Sequence, residues 1–313
     1  MAIPSGTFLW YKAVVSAPLF DSAFLAKLEQ LQLLARRLFH GQNLAERRSR
    51  QTGSSLEFAD YRNYTPGDDL RTVDWNVYGR LDRLFVKLFE AERDLPVSFL
   101  IDASASMRWQ PEGAQAGGKF DHARQVAAAL AYIALSSLDR VNLFFFSADL
   151  GTDLGFVRGR QQFHAVLEFL RREPEGGRQT TDLSRSFRSF AHRLKRRGLV
   201  FVLSDFFDPQ AAQALAFLRR QQFEPAALQV LAPWEADPAL RGDLRLRDAE
   251  TGTTLDLTAD PGLLRRYREA FARFQAELEA TCRQRAIGLV RTTTEIPFED
   301  LVLRVLRENR LAR

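Results

Sequence analysis

The sequence contains very little cysteine. Cys282 is the single cysteine in 313 residues, so the chain cannot form an internal disulfide. A chain without disulfides suits a reducing compartment, and we expect a cytoplasmic protein. The four histidines lie far apart along the chain, with no short-spaced ligand pair. Since zinc sites are usually built from cysteine and histidine, a structural zinc site is not expected.

Long apolar runs are also missing. The best apolar stretch, residues 127–138, is too short to cross a bilayer and includes Tyr132, Ser136 and Ser137. Residues 1–20 lack the basic start, long apolar centre and cleavage site of a signal peptide, and we expect a mistaken start codon or a flexible leader there. The sequence therefore predicts no membrane span.

Neither sign of charge dominates strongly. Lys and Arg number 44 and Asp and Glu 39, which gives a net charge of +5. The densest basic cluster comprises Arg193, Lys195, Arg196 and Arg197. No interleaved aromatic residues accompany it, so we interpret it as the solvated end of a helix. A nucleic-acid-binding module stays open as an alternative function, although no recognised motif supports it.

The pattern of residue types divides the chain into three parts. Residues 1–49 comprise the leader and a helix at 21–40, where apolar residues recur every three or four positions. Residues 50–94 are rich in aromatic and β-branched residues around the turn at 65–69, which predicts a small β-rich module. Residues 241–258 resemble a β-hairpin that we expect to join this module.

From residue 95 to 313, short apolar runs alternate with helical segments. The predicted strands are residues 97–101, 141–147, 199–203, 226–231 and 287–291. Such alternation is typical of an α/β fold with a mainly parallel sheet of about six strands covered by helices on both faces.

Oxygen-bearing side chains follow two of these predicted strands. Asp102, Ser104 and Ser106 follow the first, and Asp205 follows the third. Ligands of open α/β sheets bind at the carboxyl ends of strands, so these groups should meet at one edge. A threonine of the loop at 176–183 could reach the same point. An all-oxygen set selects Mg²⁺, Ca²⁺ or Mn²⁺ and leaves room for a ligand from outside, for which a partner's carboxylate is the natural candidate.

This ordered set resembles the metal-ion-dependent adhesion site of von Willebrand factor A domains, which have a Rossmann-like fold. The family's threonine lies about six residues before an apolar helix position, and Thr181, before Phe187, fits better than Thr180. The resemblance implies that Ser104, Ser106 and Thr181 contact the metal. It also implies that Asp102 and Asp205 act mainly through water.

A wider resemblance covers almost the whole chain. Residues 56–58, 61–64, 66–69, Arg71 and 74–75, followed later by LSDF at 203–206 and RDAETG at 247–252, are similar to the bacterial domain-of-unknown-function family 58. Members are typically encoded beside MoxR-type AAA+ ATPases, which are chaperone-like motors. The resemblance thus implies a protein-binding adaptor that works with such an ATPase on an unidentified client protein.

An enzyme is the main alternative. A magnesium-dependent phosphatase or hydrolase on a related fold could use Asp102 as its nucleophile. Enzymes of that type usually carry a second aspartate two residues later, where this chain has Ser104. The sequence also lacks a Gly-rich phosphate loop and a G-x-S-x-G elbow. We therefore predict no catalytic residues.

Overall fold

The computed structural model describes residues 19–40, 56–91, 96–109, 118–174 and 180–311. The chain divides into two compact units, with boundaries after residues 35 and 95. The larger unit contains the segment before residue 36 and everything from residue 96 onward. The smaller unit contains residues 36–95.

A seven-stranded sheet forms the centre of the larger unit as far as the structure describes it. Its strands are β3 (Pro96–Asp102), β4 (Arg140–Phe146), β5 (Leu150–Asp153), β6 (Val157–Arg158), β7 (Leu199–Ser204), β8 (Glu224–Leu231) and β11 (Gly288–Thr293). Five of them are parallel, in the order β11-β8-β7-β3-β4. The short strands β5 and β6 both pair antiparallel with β4. The predicted α/β class with a mainly parallel sheet is confirmed, and the antiparallel edge is an addition.

Helices connect these strands and flank the sheet. In the larger unit they are α1 (Ser22–His40, whose last residues cross the unit boundary), α3 (Ala105–Arg108), α4 (Lys119–Ser136), α5 (Phe163–Arg171), α6 (Leu183–Arg193), α7 (Ala211–Arg220), α8 (Pro233–Ala236), α9 (Pro261–Gln284) and α10 (Phe298–Leu311). A 3₁₀ turn, Arg160–Gln162, precedes α5. Pro261 occupies the first turn of α9, where the missing N–H costs nothing, and Asp260 caps that helix.

Both faces of the sheet are covered, as β4 illustrates. Phe144 packs edge-on against Phe190 of α6, with ring centroids 5.3 Å apart. The next residue, Phe145, points to the other face and stacks on Phe169 of α5 at 4.8 Å. Alternate side chains of a strand point to opposite faces, so a strand buried on both sides reads as a continuous apolar run. This explains the run LFFF in the sequence.

A glycine sets the start of β7 close to β3. A Cβ atom on Gly198 would lie 2.1 Å from the carbonyl oxygen of Pro96, which is inside any allowed contact. Strands β3 and β7 then run parallel from Val97 opposite Leu199 to Ile101 opposite Leu203. As a result, the polar residues that follow both strands emerge side by side.

The smaller unit is less β-rich than the sequence predicts. Its described part has an antiparallel pair, β1 (Leu56–Asn63) and β2 (Phe85–Ala91), with a 3₁₀ turn at Leu70–Thr72 and helix α2 (Trp75–Leu81) between them. Asp74 caps α2, since its carboxylate accepts the backbone N–H groups of Asn76 and Val77. The aromatic residues of this segment favour a strand, but the N-cap Asp74 stabilises a helix there instead.

The predicted hairpin is present but belongs to the larger unit. Strands β9 (Gly242–Arg247) and β10 (Thr254–Ala259) pair with each other as a separate two-stranded sheet. Their membership of the larger unit corrects the expectation that they join the smaller one. Across the described ranges, no helix combines the length and apolarity that crossing a membrane requires.

Candidate metal centre

Asp102 ends β3 in a fully buried position, with none of its surface exposed. One carboxylate oxygen accepts the backbone N–H of Ser104 at 2.9 Å. The other accepts the hydroxyl of Ser204, the last residue of β7, at 2.6 Å. Burial, together with repulsion from the nearby Asp205 charge, raises the pKa of Asp102 to about 7. The two strand ends are thus joined by a carboxylate that lacks a full counter-charge.

Ser104 and Ser106 lie where β3 turns into the short helix α3. Their hydroxyl oxygens are 3.0 Å apart, so one hydroxyl donates to the other. Ser104 is fully buried and Ser106 is half-buried. The two serines therefore present converging oxygens beside Asp102, as the sequence predicts.

Asp205 is buried beside them, and a lysine engages its carboxylate. The Nζ atom of Lys119 lies 2.7 Å from one oxygen of Asp205 and 2.5 Å from an oxygen of Glu235. The Lys119 side chain is only 1% exposed. The two carboxylates outweigh the cost of its burial and raise the pKa of Lys119 above its ordinary value. A permanent ammonium ion therefore lies next to the predicted metal ligand.

Glu235, the second partner of Lys119, belongs to helix α8. Its other carboxylate oxygen accepts the backbone N–H of Ala232 at 2.7 Å, which fixes it at the start of that helix. Burial raises the pKa of Glu235 above its ordinary value despite the neighbouring ammonium. The hydroxyl of Tyr267 donates to the Glu235 carbonyl at 2.5 Å, so α9 also contacts this corner.

The backbone turns sharply after Asp205. Phe206 is fully buried and has φ of 60°, in the left-handed region that a bulky residue seldom adopts. Its N–H donates to the Ser204 hydroxyl at 2.9 Å, which is the hydroxyl that binds Asp102. Strained backbone of this kind often marks a functional site, and here it lies directly beside a candidate ligand.

Thr181 lies on the loop before α6. The neighbouring Asp182 donates its N–H to the carbonyl of Ser147, just beyond the end of β4. The hydroxyl of Thr181 donates to one oxygen of Glu250 at 2.7 Å, and its N–H donates to the other at 3.0 Å. The predicted loop threonine is therefore at the strand-end edge of the sheet, bound by a carboxylate from the β9–β10 turn. Thr180 is exposed.

Aromatic side chains surround this edge. Trp109, just after α3, lies 5.8 Å edge-on from Trp234 of α8. Phe207, two residues after Asp205, carries the Lys119 ammonium 5.5 Å above its ring and contacts Phe274. Trp109 and Phe207 are 48% and 41% exposed, so the buried charges have a partly open aromatic border.

The predicted donors are of the chemical type that hard divalent cations prefer. Asp102, Ser104, Ser106 and Thr181 offer only oxygen, and Mg²⁺ is commonly held by one or two carboxylates together with waters. No group of three or more His, Cys, Asp or Glu residues placed to hold a metal occurs in the part of the chain that the structure describes. Hydroxyls would therefore have to supply much of the coordination. Asp205 fits least well as a direct ligand, because Lys119 and the Phe207 N–H already bind its oxygens.

The structure thus joins Asp102, Ser104 and Ser106 in one hydrogen-bond network with Ser204. Asp205 follows Ser204 in the chain and binds Lys119, and Thr181 contacts Glu250. Sequence reasoning missed Lys119, Ser204, Glu235 and Glu250. Lys119 and Glu235 give no sequence signal, because charged residues at helix starts are normally solvated. Ser204 and Glu250 fall within LSDF and RDAETG, and the two motifs were the available clue.

Known proteins resemble this chain at moderate identity. The uncharacterized protein Rv1480 of Mycobacterium tuberculosis is 26% identical over 295 residues, which cover 93% of this chain and 91% of the relative. The uncharacterized protein MAV169 of Mycobacterium avium is 28% identical over 129 residues, covering 41% of this chain and 76% of the relative. Among solved structures, the conserved hypothetical protein BatB from Bacteroides thetaiotaomicron matches 70% of this chain and 98% of its own, at 15% identity and a TM-score of 0.45.

The family assignment rests on a match to most of the chain. The family described as "Protein of unknown function DUF58" matches residues 60–280. This stretch begins in the smaller unit and includes Asp102, Ser104, Ser106, Thr181 and Asp205, so the candidate centre lies wholly inside it. The chain belongs to the family DUF58.

Proposed function

We propose that this protein is a metal-assisted protein-binding adaptor of the von Willebrand A type. It works with a MoxR-type AAA+ ATPase in the assembly or remodelling of a client protein complex in the bacterial cytoplasm. The ATPase partner follows from the family resemblance drawn from the sequence, and the single cysteine agrees with a reducing compartment.

One observation supports the proposal that the protein binds its partner through a cation. Asp102 and Ser204 are hydrogen-bonded across the ends of adjacent parallel strands, with Ser104, Ser106 and Asp205 next to them. This is the edge at which open α/β sheets bind ligands. Two buried aspartates with one lysine leave negative charge that a cation would neutralise.

In the proposed role, Ser104, Ser106 and Thr181 would hold Mg²⁺, with Mn²⁺ or Ca²⁺ as the other candidates. Asp102 supplies charge and orients Ser104 through the Ser104 N–H. Asp205 acts as the anchor of Lys119 and contributes its charge at longer range. A cation held there would offer a coordination position to an acidic side chain of the partner.

Binding fits the geometry better than hydrolysis does. Asp102 is inaccessible and both of its oxygens accept hydrogen bonds, which leaves it poorly placed to attack a substrate. The exposed aromatic side chains at the border are of the type that dominates protein–protein contacts. Absence of phosphatase turnover above background with Mg²⁺ is therefore expected, and turnover that Asp102→Ala abolishes would restore the enzyme alternative.

Thermal unfolding tests the metal. Mg²⁺ or Mn²⁺ should raise the melting temperature of the wild type, and EDTA should reverse the rise. Ser106→Ala and Asp102→Ala should both lose the metal-dependent rise. Because Ser106 is only half-buried, its replacement should disturb the fold less than that of Asp102. Asp256→Ala, on an exposed strand of the β9–β10 hairpin, is the matched control and should keep it. Identical curves with metal and with EDTA for the wild type would overturn the metal site.

Affinity capture tests the partner. Tagged wild-type protein, expressed in its native host and isolated with ATP and Mg²⁺, should recover a MoxR-type ATPase. Ser106→Ala should recover less of it, whereas Asp256→Ala should match the wild type. Repeated absence of any AAA+ ATPase would count against the partner even if the metal site were established.

A further inference from the structure

The turn of the β9–β10 hairpin contacts Thr181, a predicted ligand of the candidate centre, through one side chain. Glu250 receives both polar hydrogens of Thr181, the hydroxyl at 2.7 Å and the backbone N–H at 3.0 Å. The two residues are 69 positions apart in the sequence. A two-oxygen contact of this kind fixes both the position and the rotation of the threonine hydroxyl.

The turn that carries Glu250 is itself well ordered. One oxygen of Asp248 accepts the N–H groups of Glu250 and Thr251, at 3.0 and 2.6 Å, and the Thr251 hydroxyl at 2.8 Å. Gly252 follows with φ of 72°, which glycine adopts without strain. Glu250 is therefore presented from a defined turn.

A hydroxyl that binds a cation uses an oxygen lone pair and needs an acceptor for its hydrogen. Partners of this kind orient metal ligands and increase their basicity. Glu250 supplies such an acceptor to Thr181, and it adds a negative charge close to the oxygen that would bind the cation. Because its second oxygen accepts the Thr181 N–H, the backbone at Thr181 is held at the same time.

We propose that Glu250 is a positioning residue that holds Thr181 in place, a contact called the latch below, and sets the cation affinity of the centre. The metal part of this inference rests on the proposed function.

Two measurements on the full chain test the latch. Mn²⁺ affinity, read from the electron paramagnetic resonance signal of free Mn²⁺, should fall by about 10–100-fold in Glu250→Ala. Glu250→Gln keeps the size of the side chain but loses its charge and one acceptor, so its affinity should fall as well. Asp256→Asn removes a carboxylate from the same hairpin, at a strand position paired with Arg245, and should bind Mn²⁺ like the wild type.

Hydrogen exchange provides a readout without metal. The Thr181 amide should exchange faster in Glu250→Ala than in the wild type or in Asp256→Asn, because its acceptor is gone. Unchanged exchange would overturn the latch. Faster exchange with wild-type Mn²⁺ affinity in both Glu250 variants would overturn the positioning role. If the wild type itself binds no Mn²⁺, the proposed function fails with the metal part of the inference, and exchange at Thr181 still decides the latch.

Discussion

Among individual residues, Lys119 is the least expected feature of this protein. Its ammonium is buried between Asp205 and Glu235 and above the ring of Phe207. Desolvating three charged groups is costly, and mutual attraction offsets that cost only while all three remain. Lys119 therefore neutralises the two buried carboxylates, and the stability of the fold depends on its charge.

We expect Lys119→Met to lower the free energy of unfolding by about 3–5 kcal/mol, because two carboxylates are left buried without their cation. Urea denaturation at pH 7 measures the loss. Lys27→Met makes the same chemical change at a half-exposed ion pair with Glu299 and should cost no more than about 1 kcal/mol. Equal losses in the two variants would contradict this account of Lys119.

Cys282 should be nearly inert in the folded protein. Its side chain is 1% exposed, and burial raises the pKa of the thiol to about 11. Because the thiolate is the reactive form, alkylation by iodoacetamide at pH 8 should be at least about 100-fold slower than in urea. As the chain has one cysteine, the change in mass reports this site alone. Rapid native alkylation would show that α9 is open at this position.

Packing between elements also buries the titratable side chain of His122. It lies on α4, and the charge of Glu299 on α10, which is paired with Lys27 of α1, acts on it. The Nε2 atom of His122 has no hydrogen-bond partner within the described residues. Burial lowers the pKa of His122 from 6.5 to about 4, and Glu299 opposes this only in part.

Stability should therefore depend on pH through His122. The unfolded chain takes up a proton near pH 6.5, whereas the folded chain resists protonation down to about pH 4. Above pH 6.5, His122 does not change the free energy of unfolding. Between pH 6.5 and 4, it lowers the free energy of unfolding by up to about 3 kcal/mol. Urea denaturation of His122→Leu should lack this part of the decrease, while His192→Leu, at an exposed position, should retain it. Parallel pH profiles for wild type and His122→Leu would contradict the expectation.

At the level of elements, the sequence predicted the parallel strands and their helices well. Runs such as LFFF at 143–146 can be identified as strands from the sequence, because a strand buried on both faces must be apolar throughout. The short strands β5 and β6 escaped detection, since neither has an apolar run or an alternating pattern long enough to read. Helix α2 was missed because its signal is the cap Asp74, whereas its aromatic residues favour strand.

For the candidate site, the sequence indicated which residues lie at strand ends. Asp102, Ser104, Ser106 and Asp205 could be predicted to meet because parallel strands end at one edge. The contacts of Lys119 with Glu235 and of Thr181 with Glu250 could not. They join residues more than sixty positions apart through side-chain geometry, on which periodicity carries no information.

At the scale of the whole molecule, the described residues form one large covered sheet and two separate strand pairs. Amide hydrogen exchange should be slowest in β3, β4, β7 and β8, whose residues are nearly all buried. Exchange should be much faster in β9–β10, because its described residues are mostly exposed and the pair stands alone. Mass spectrometry of peptides from both regions measures the order. Protection of β9–β10 equal to that of β7 would indicate that a further surface covers the hairpin.

The edge-on pair of Trp109 and Trp234 has a practical consequence. The chain has four tryptophans, and these two stand at the border of the candidate centre. Indole emission shifts with the polarity around the ring, so docking at this border would change the intrinsic fluorescence of the unlabelled protein. With Trp10 and Trp75 replaced by phenylalanine, the remaining emission would come from the pair alone. The protein thus carries its own optical reporter at the edge where a partner is proposed to bind.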